Sequence, residues 1–309
     1  MSIRFYIRMF LRTIYYSLKS YIPRKYQLYF RRKIVIAQRN LRKDIWPIFP
    51  GSEKKPDNWP GWNKNKKFAI VLTHDVEHQR GYNRVEKLMK LEKELGFVSS
   101  FNFVPERDYK VEKQLLETIR HNEFEYGVHG LNHDGKLFKS KKIFDSRAVK
   151  INNYIKDWNA VGFRSPAMHH NLEWIKELNI EYDLSTFDTD PFEPQPDGVG
   201  TIFPFWVSGQ DGKNGYVEMP YTLVQDFTLF ILMKEKSPAI WIKKLDWIAE
   251  KGGMVLLNVH PDYINFENES TLEEFPVKYY EAFLRYIKTN YNGQYWNALP
   301  RDVANYYKY

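Results

Sequence analysis

The chain has no cysteine. Disulfides, thiolate nucleophiles and sulfur ligation are thereby excluded, and any bound metal must be held by nitrogen and oxygen donors. The same absence does not fix the compartment, because oxidising and reducing environments both tolerate it. Long apolar runs are missing too. Residues 1–20 (MSIRFYIRMFLRTIYYSLKS) are rich in Phe, Ile, Leu and Tyr, but Arg4, Arg8 and Arg12 interrupt them every four residues. That spacing argues against a membrane span, and there is neither the apolar core nor the small-residue cleavage site of a signal peptide. Acidic side chains are nearly absent from the first 45 positions, where Asp44 stands alone against twelve Lys and Arg. The formal charge of +8 over 309 residues therefore divides into +11 for residues 1–45 and −3 for the rest, which carries 34 basic and 37 acidic groups.

This asymmetry marks residues 1–45 as a basic amphipathic arm. On a helix, Arg4, Arg8 and Arg12 form one stripe beside an aromatic and aliphatic face. Two readings stay open: an interfacial helix on an anionic membrane surface, or an arm packed on its own domain or on a partner subunit. No nucleic acid is expected. The lipid reading goes with a cytoplasmic protein, peripheral on the inner face of the membrane. Residues 46–66, dense in Pro and Gly, read as an extended linker or wrap, and residues 67–309 as one α/β domain.

Hydrophobic residues make up 43% and aromatics 17% of the chain, enough for a sizeable core and too many for disorder. No internal repeat or low-complexity tract is visible. Strand-like runs at 68–73, 97–104, 124–128, 160–163, 182–186, 216–221 and 254–259 alternate with helix-like segments at 83–95, 111–121, 140–158, 172–178, 238–251 and 277–289. Seven such units predict a (β/α) barrel with its site on the C-terminal rim. The Pro-, Gly- and Asp-rich stretch 187–215 is too long for an ordinary connection and reads as a functional insertion on that rim.

Polar side chains gather where these runs end. Thr73-His74-Asp75-Val76-Glu77 closes the first, and His129-Gly130-Leu131-Asn132-His133 follows the third. Gly162-Phe163-Arg164-Ser165-Pro166, Tyr182-Asp183-Leu184-Ser185 and Leu257-Asn258-Val259-His260 close later ones. His129 and His133 are four apart, so on a tight turn both point to one side and can ligate one ion. A carboxylate from Asp75 or Glu77 completes a donor set suited to a divalent metal, zinc first, with cobalt, nickel or manganese also suited. On the insertion, Asp188 and Asp190 are candidate binding residues. Trp206, Tyr221, Phe187 and Tyr263 either stack on a ligand or belong to the core, and His169-His170 either cap a helix or face solvent.

Five such motifs in this order resemble the polysaccharide deacetylase superfamily (NodB homology, carbohydrate esterase family 4) over about residues 67–268. The runs GFRSPAMHH and YDLSTFDTDPFEPQPDG resemble a bacterial branch found with surface-polysaccharide clusters (WalW-like). The resemblance implies a distorted seven-stranded (β/α) barrel and a metal-dependent removal of acetyl groups from an N-acetylated glycan or its lipid-linked precursor. It also implies roles. Asp75 would be the general base and Glu77, His129 and His133 the metal ligands. Arg164 would hold Asp75 ionised, and His260 would be the general acid with Asp183 as its partner. Leu257 would line the pocket for the acetyl methyl, and Asp188 and Asp190 would bind sugar hydroxyls. The usual motif has two adjacent acids, whereas here Val76 separates them, so the roles of Asp75 and Glu77 are open to exchange. His74 is either a further ligand or a support. Another C–N hydrolase on the same barrel, or a catalytically silent carbohydrate-binding or assembly protein, would share these features.

Overall fold

The computed structural model describes residues 23–57, 59–209, 215–267 and 271–308. The helix expected over residues 1–20 lies outside them. The strands are β1 (Phe68–Val76), β2 (Ser99–Phe103), β3 (Glu125–His129), β4 (Gly162–Arg164), β5 (Tyr182–Asp183), β6 (Phe205–Ser208), β7 (Gly215–Glu218), β8 (Met254–Asn258), β9 (Ile264–Asn265), β10 (Phe275–Pro276) and β11 (Tyr295–Asn297). The helices are α1 (Arg24–Leu41), α2 (Gln79–Tyr82), α3 (Val85–Leu95), α4 (Lys113–His121), α5 (Lys141–Trp158), α6 (Leu172–Ile175), α7 (Ala239–Lys251), α8 (Lys278–Asn290) and α9 (Pro300–Tyr307), with a π-helix at Phe227–Leu232.

β1 is buried along all nine residues, as a strand must be when helices cover one face and the barrel interior the other. It pairs in parallel with β8 on one side and β2 on the other, and the row continues through β3, β4, β5 and β7. The chain beyond β7 then crosses back. Tyr221 N–H donates to the Thr186 carbonyl and Thr222 N–H to the Leu256 carbonyl, each at 3.0 Å, while Leu223 bridges Leu257 of β8. Seven parallel strands thus curl into the distorted barrel that the sequence predicted. Four strands were not legible: β6, which forms an antiparallel hairpin with β7, β11, which extends the edge beside the start of β1, and the short parallel pair β9 and β10.

Helix spacing is read directly from the core side. α3 buries Val85, Leu88, Met89, Glu92 and Leu95, the three-four repeat of one helix face, and stops at Gly96, whose φ of 82° suits a residue without Cβ. α5 starts at Ser140, whose hydroxyl accepts from Ile143 N–H. Residues before the barrel lie against it. Leu28 and Val35 of α1 are buried, Trp46 and Trp62 are buried, and Trp62 donates to the Gly252 carbonyl at 2.8 Å.

Glu92 is the one carboxylate in that apolar helix face, and its surroundings explain it. It accepts from Ser99 Oγ at 2.6 Å and from the Tyr280 hydroxyl, and His74 Nε2 lies 2.8 Å away. His74 Nδ1 donates to the Val259 carbonyl at 2.8 Å, so this buried network ties β1 to α3, α8 and the end of β8. Removing the acceptor strands three buried polar groups. Glu92→Ala should cost about 3 kcal/mol or more, measured as a fall in the urea midpoint. Glu92→Gln keeps one acceptor oxygen and should lose less. A loss below about 1 kcal/mol in the alanine variant would mean the network is not structural.

Candidate functional site

The pleat of β1 decides what enters the site. Side chains alternate across a strand, so Thr73, Asp75 and Glu77 share the interior side while His74 and Val76 turn outward. His74 is therefore spent on Glu92 and is not a ligand here. The Val76 spacer keeps both acids on one face.

Arg164, fully buried at the end of β4, fixes Asp75. Its Nη1 donates to Thr73 Oγ1 at 2.9 Å and pairs with Asp75 Oδ1 at 3.2 Å, and its Nε donates to the Leu184 carbonyl. Asn102 from β2 donates to Asp75 Oδ1 at 3.0 Å and Asn258 from β8 to Oδ2 at 2.8 Å. Burial alone would push the Asp75 carboxyl up. Arg164, with His129 and His260 behind it, outweighs burial and holds it well below the usual carboxylate range.

The HGLNH segment turns back on itself. Gly130 has φ 62° and His133 φ 53°, and a Cβ on Gly130 would come 2.5 Å from the Pro166 ring. This left-handed pair brings the two imidazole rings to 5.1 Å between centroids. His129 Nδ1 donates to the Arg164 carbonyl at 3.1 Å, which leaves its Nε2 lone pair directed inward. That atom is buried and has no hydrogen-bond partner, and the nearest carboxylate oxygen in an ion pair with it, Asp75 Oδ2, is 3.9 Å away. His133 Nε2 is 2.9 Å from Glu77 Oε1. Donor atoms of Glu77, His129 and His133 all lie within 4.8 Å of one another. An inward lone pair without a partner, a second imidazole and a carboxylate fit a divalent metal. Burial lowers the His129 imidazole to about 4, so it is neutral and able to ligate at pH 7. Against the cost of burial, His133, its hydrogen bond and His260 hold the Glu77 carboxyl well below its ordinary value.

His260 closes the far side, with Nε2 3.9 Å from Glu77 Oε1. Its expected partner was Asp183, and this is corrected. The carboxylate on His260 is Asp226, which takes Nδ1 at 2.7 Å through Oδ1 and the His260 N–H at 2.9 Å through Oδ2. Asp183 instead accepts from Ser185 Oγ at 2.6 Å and sits against Glu218 of β7, where burial raises its carboxyl. The barrel-closing segment 221–223 carries Asp226 to the edge of β8, an adjacency that motif order does not encode. Burial opposes the charge on His260, but Asp226 prevails and lifts the imidazole to about 10.

The other expected substrate contacts are also corrected. Leu257 pairs in register with Leu72 and is fully buried on the outer face, whereas its neighbour Asn258 points inward to Asp75. Asp188 is buried and bound to Lys244 Nζ at 2.6 Å, and Asp190 accepts from the Tyr221 hydroxyl at 2.7 Å. Both carboxylates face the protein, so neither is free for a sugar. Phe187 and Tyr221 belong to the core. Tyr263 does reach the site, where its hydroxyl donates to Glu77 Oε2 at 2.8 Å.

Sequence reasoning missed Asn102, Asp226 and the positioning role of Asp262. Asp262 accepts from the backbone N–H of Glu77 at 2.8 Å and of His78 and Gly81 at 3.1 Å, clamping the turn that carries Glu77. The available signal was a charged or amide residue inside an apolar run, as in Val224-Gln225-Asp226-Phe227 and Phe101-Asn102-Phe103.

No protein-family sequence model matches the chain, and no curated protein matches it by sequence. Solved structures do match. A candidate polysaccharide deacetylase from Mycobacterium smegmatis superposes with a TM-score of 0.58 at 17% identity, over 80% of this chain and 92% of that one. A candidate polysaccharide deacetylase involved in O-antigen biosynthesis from Bordetella bronchiseptica gives a TM-score of 0.43 at 19% identity, over 78% and 85%. A family 4 carbohydrate esterase pseudoenzyme from Bacillus anthracis gives 0.46 at 12% identity, over 78% and 66%. Likeness at these identities concerns architecture. The chain has the fold of the polysaccharide deacetylases, a distorted (β/α) barrel.

Proposed function

We propose that the chain is a metal-dependent hydrolase that removes the acetyl group from an N-acetylated sugar of a surface polysaccharide or its lipid-linked precursor. The observation that carries this reading is the meeting of the Glu77, His129 and His133 donor atoms within 4.8 Å, between a guanidinium-paired Asp75 and a carboxylate-paired His260. The fold shared with the Mycobacterium smegmatis candidate deacetylase supports it.

Glu77, His129 and His133 would hold the metal. A divalent ion there supplies an acidified water and a polarised amide carbonyl, which a carboxylate as weakly basic as Asp75 requires. Asp75 takes a proton from the attacking water through Oδ2, while Arg164 and Asn102 keep Oδ1 occupied and the side chain in place. The new C–O bond forms as Asp75 accepts that proton. His260, kept charged by Asp226, gives its Nε2 proton to the departing nitrogen as the C–N bond breaks. The products are acetate and the free amine of the sugar.

Three measurements test this. His129→Ala or His133→Ala should lose bound zinc after dialysis and lose turnover, with the circular dichroism spectrum unchanged. Full acetate release from N-acetylglucosamine oligomers by a zinc-free variant sinks the metalloenzyme reading, and release of another acid sinks the acetyl specificity. Asp75→Asn should keep zinc and lose about 10²–10⁴ in rate, the usual contribution of a general base. Loss of zinc by that variant would put Asp75 on the metal and exchange its role with Glu77. The third test concerns pH. A raised imidazole pKa keeps His260 protonated up to about 10, so activity should persist into alkaline pH. Asp226→Asn removes the charge that raises it, so the alkaline limb of kcat should move toward neutral pH. An unmoved limb means that His260 is not the group being titrated.

A further inference from the structure

Eight large hydrophobic side chains are exposed among the described residues, and six of them lie on α1: Tyr26, Tyr29, Phe30, Ile34, Ile36 and Leu41, between 46% and 76% exposed. At 100° per residue they fall on one side of the helix, together with Lys25 and Lys33. The opposite side holds Leu28, Val35 and four arginines, and these arginines are spent on the protein. Arg24 pairs with Glu273, and Arg39 Nη1 with Glu235 at 2.7 Å. Arg32 Nε donates to the Ile231 carbonyl at 3.0 Å, and the Arg31 guanidinium lies 4.8 Å from the centre of the Phe227 ring. The arrangement inverts an ordinary surface helix, which turns its apolar stripe to the core and its charges to water.

What covers that face is indicated by charge. Residues 1–43 hold twelve Lys and Arg and not one Asp or Glu. A second copy of the helix would bring like charges together, whereas anionic headgroups complement Lys25 and Lys33 beside inserted aromatic and aliphatic side chains. The helix that carries this face also lies close to the chemistry on its inward side. Arg31 lies over Phe227, whose ring centre is 4.8 Å from that of Tyr263, and Tyr263 donates to Glu77. The π-helix under α1 begins directly after Asp226, the partner of His260.

We infer that the outward face of α1 docks the chain on an anionic bilayer and so presents the site to a lipid-linked glycan at the membrane surface. The docking half stands on the geometry of α1, and the substrate half rests on the deacetylase reading. The test uses the full chain and a Tyr29→Ser/Phe30→Ser/Ile34→Ser variant with vesicles of phosphatidylcholine and phosphatidylglycerol. The wild type should float with the vesicles, more weakly as salt rises, and the variant should bind about tenfold less or worse. Its thermal melting should not change, since these side chains are outside the core. Turnover of a soluble N-acetylglucosamine oligomer should be equal in the two, while turnover of an N-acetylated glycolipid embedded in the vesicles falls with binding. Equal flotation of the two proteins overturns the docking surface. So does a wild type that ignores vesicles and is converted from dimer to monomer by the substitutions, which would make this face a contact between copies. Equal loss on soluble and embedded substrates overturns the lipid-linked substrate. Absence of turnover on both, with flotation lost only in the variant, would fail the deacetylase reading and leave the docking surface standing.

Discussion

Arg164 sits at the centre of the barrel mouth with no solvent contact, and its charge must be satisfied there. Its contacts reach three other strands or their ends: Thr73 and Asp75 on β1, Leu184 after β5, and His129 on β3 through its own carbonyl. One residue therefore sets the ionisation of the proposed base through its guanidinium and the tautomer of one proposed ligand through its backbone carbonyl, and it fixes the spacing of the strands between them. Asn102 adds a hydrogen bond to Oδ1 of Asp75 and Asn258 one to Oδ2, neither adding charge. The buried positive charge is tolerated because a buried negative one faces it. The site in turn depends on that pair being complete.

Two imidazoles a short distance apart are pushed in opposite directions by this surrounding. His129 is buried next to a backbone carbonyl and beside the charged Arg164, and it stays neutral. His260 has the full carboxylate of Asp226 on its Nδ1 and stays charged. Ligation needs the first state and proton donation needs the second. The residue type is the same in both places. The partner on Nδ1 decides the chemistry.

Much of this was legible in the sequence because strand ends and punctuation carry it. The runs before Asp75, His129, Arg164 and His260 are apolar, short and bounded, so the barrel and its rim followed. Asp75, Glu77, His129, His133, Arg164 and His260 do meet at one mouth. The partner of His260 was not legible. Asp183 and Asp226 are both buried acids near strand ends, and only the closing segment 221–223 distinguishes them. Asp188 and Asp190 misled for a related reason. A Pro- and Gly-rich stretch suggests an open loop, yet Lys244 and Tyr221 hold these carboxylates inside. Leu257 failed on parity alone, since its inward neighbour is Asn258.

β1 does two jobs with one alternating string of side chains. Thr73, Asp75 and Glu77 serve the mouth, while His74 anchors the outer wall through Glu92, and the two sets interleave at single-residue spacing. A shift of the strand by one position would present an imidazole to Arg164 and a carboxylate to the apolar layer under α3. The wall network therefore acts as a register lock for the site. Slippage in either direction is opposed from both faces at once, and a lesion far from the mouth, on α3 or α8, reaches Asp75 through the strand they share.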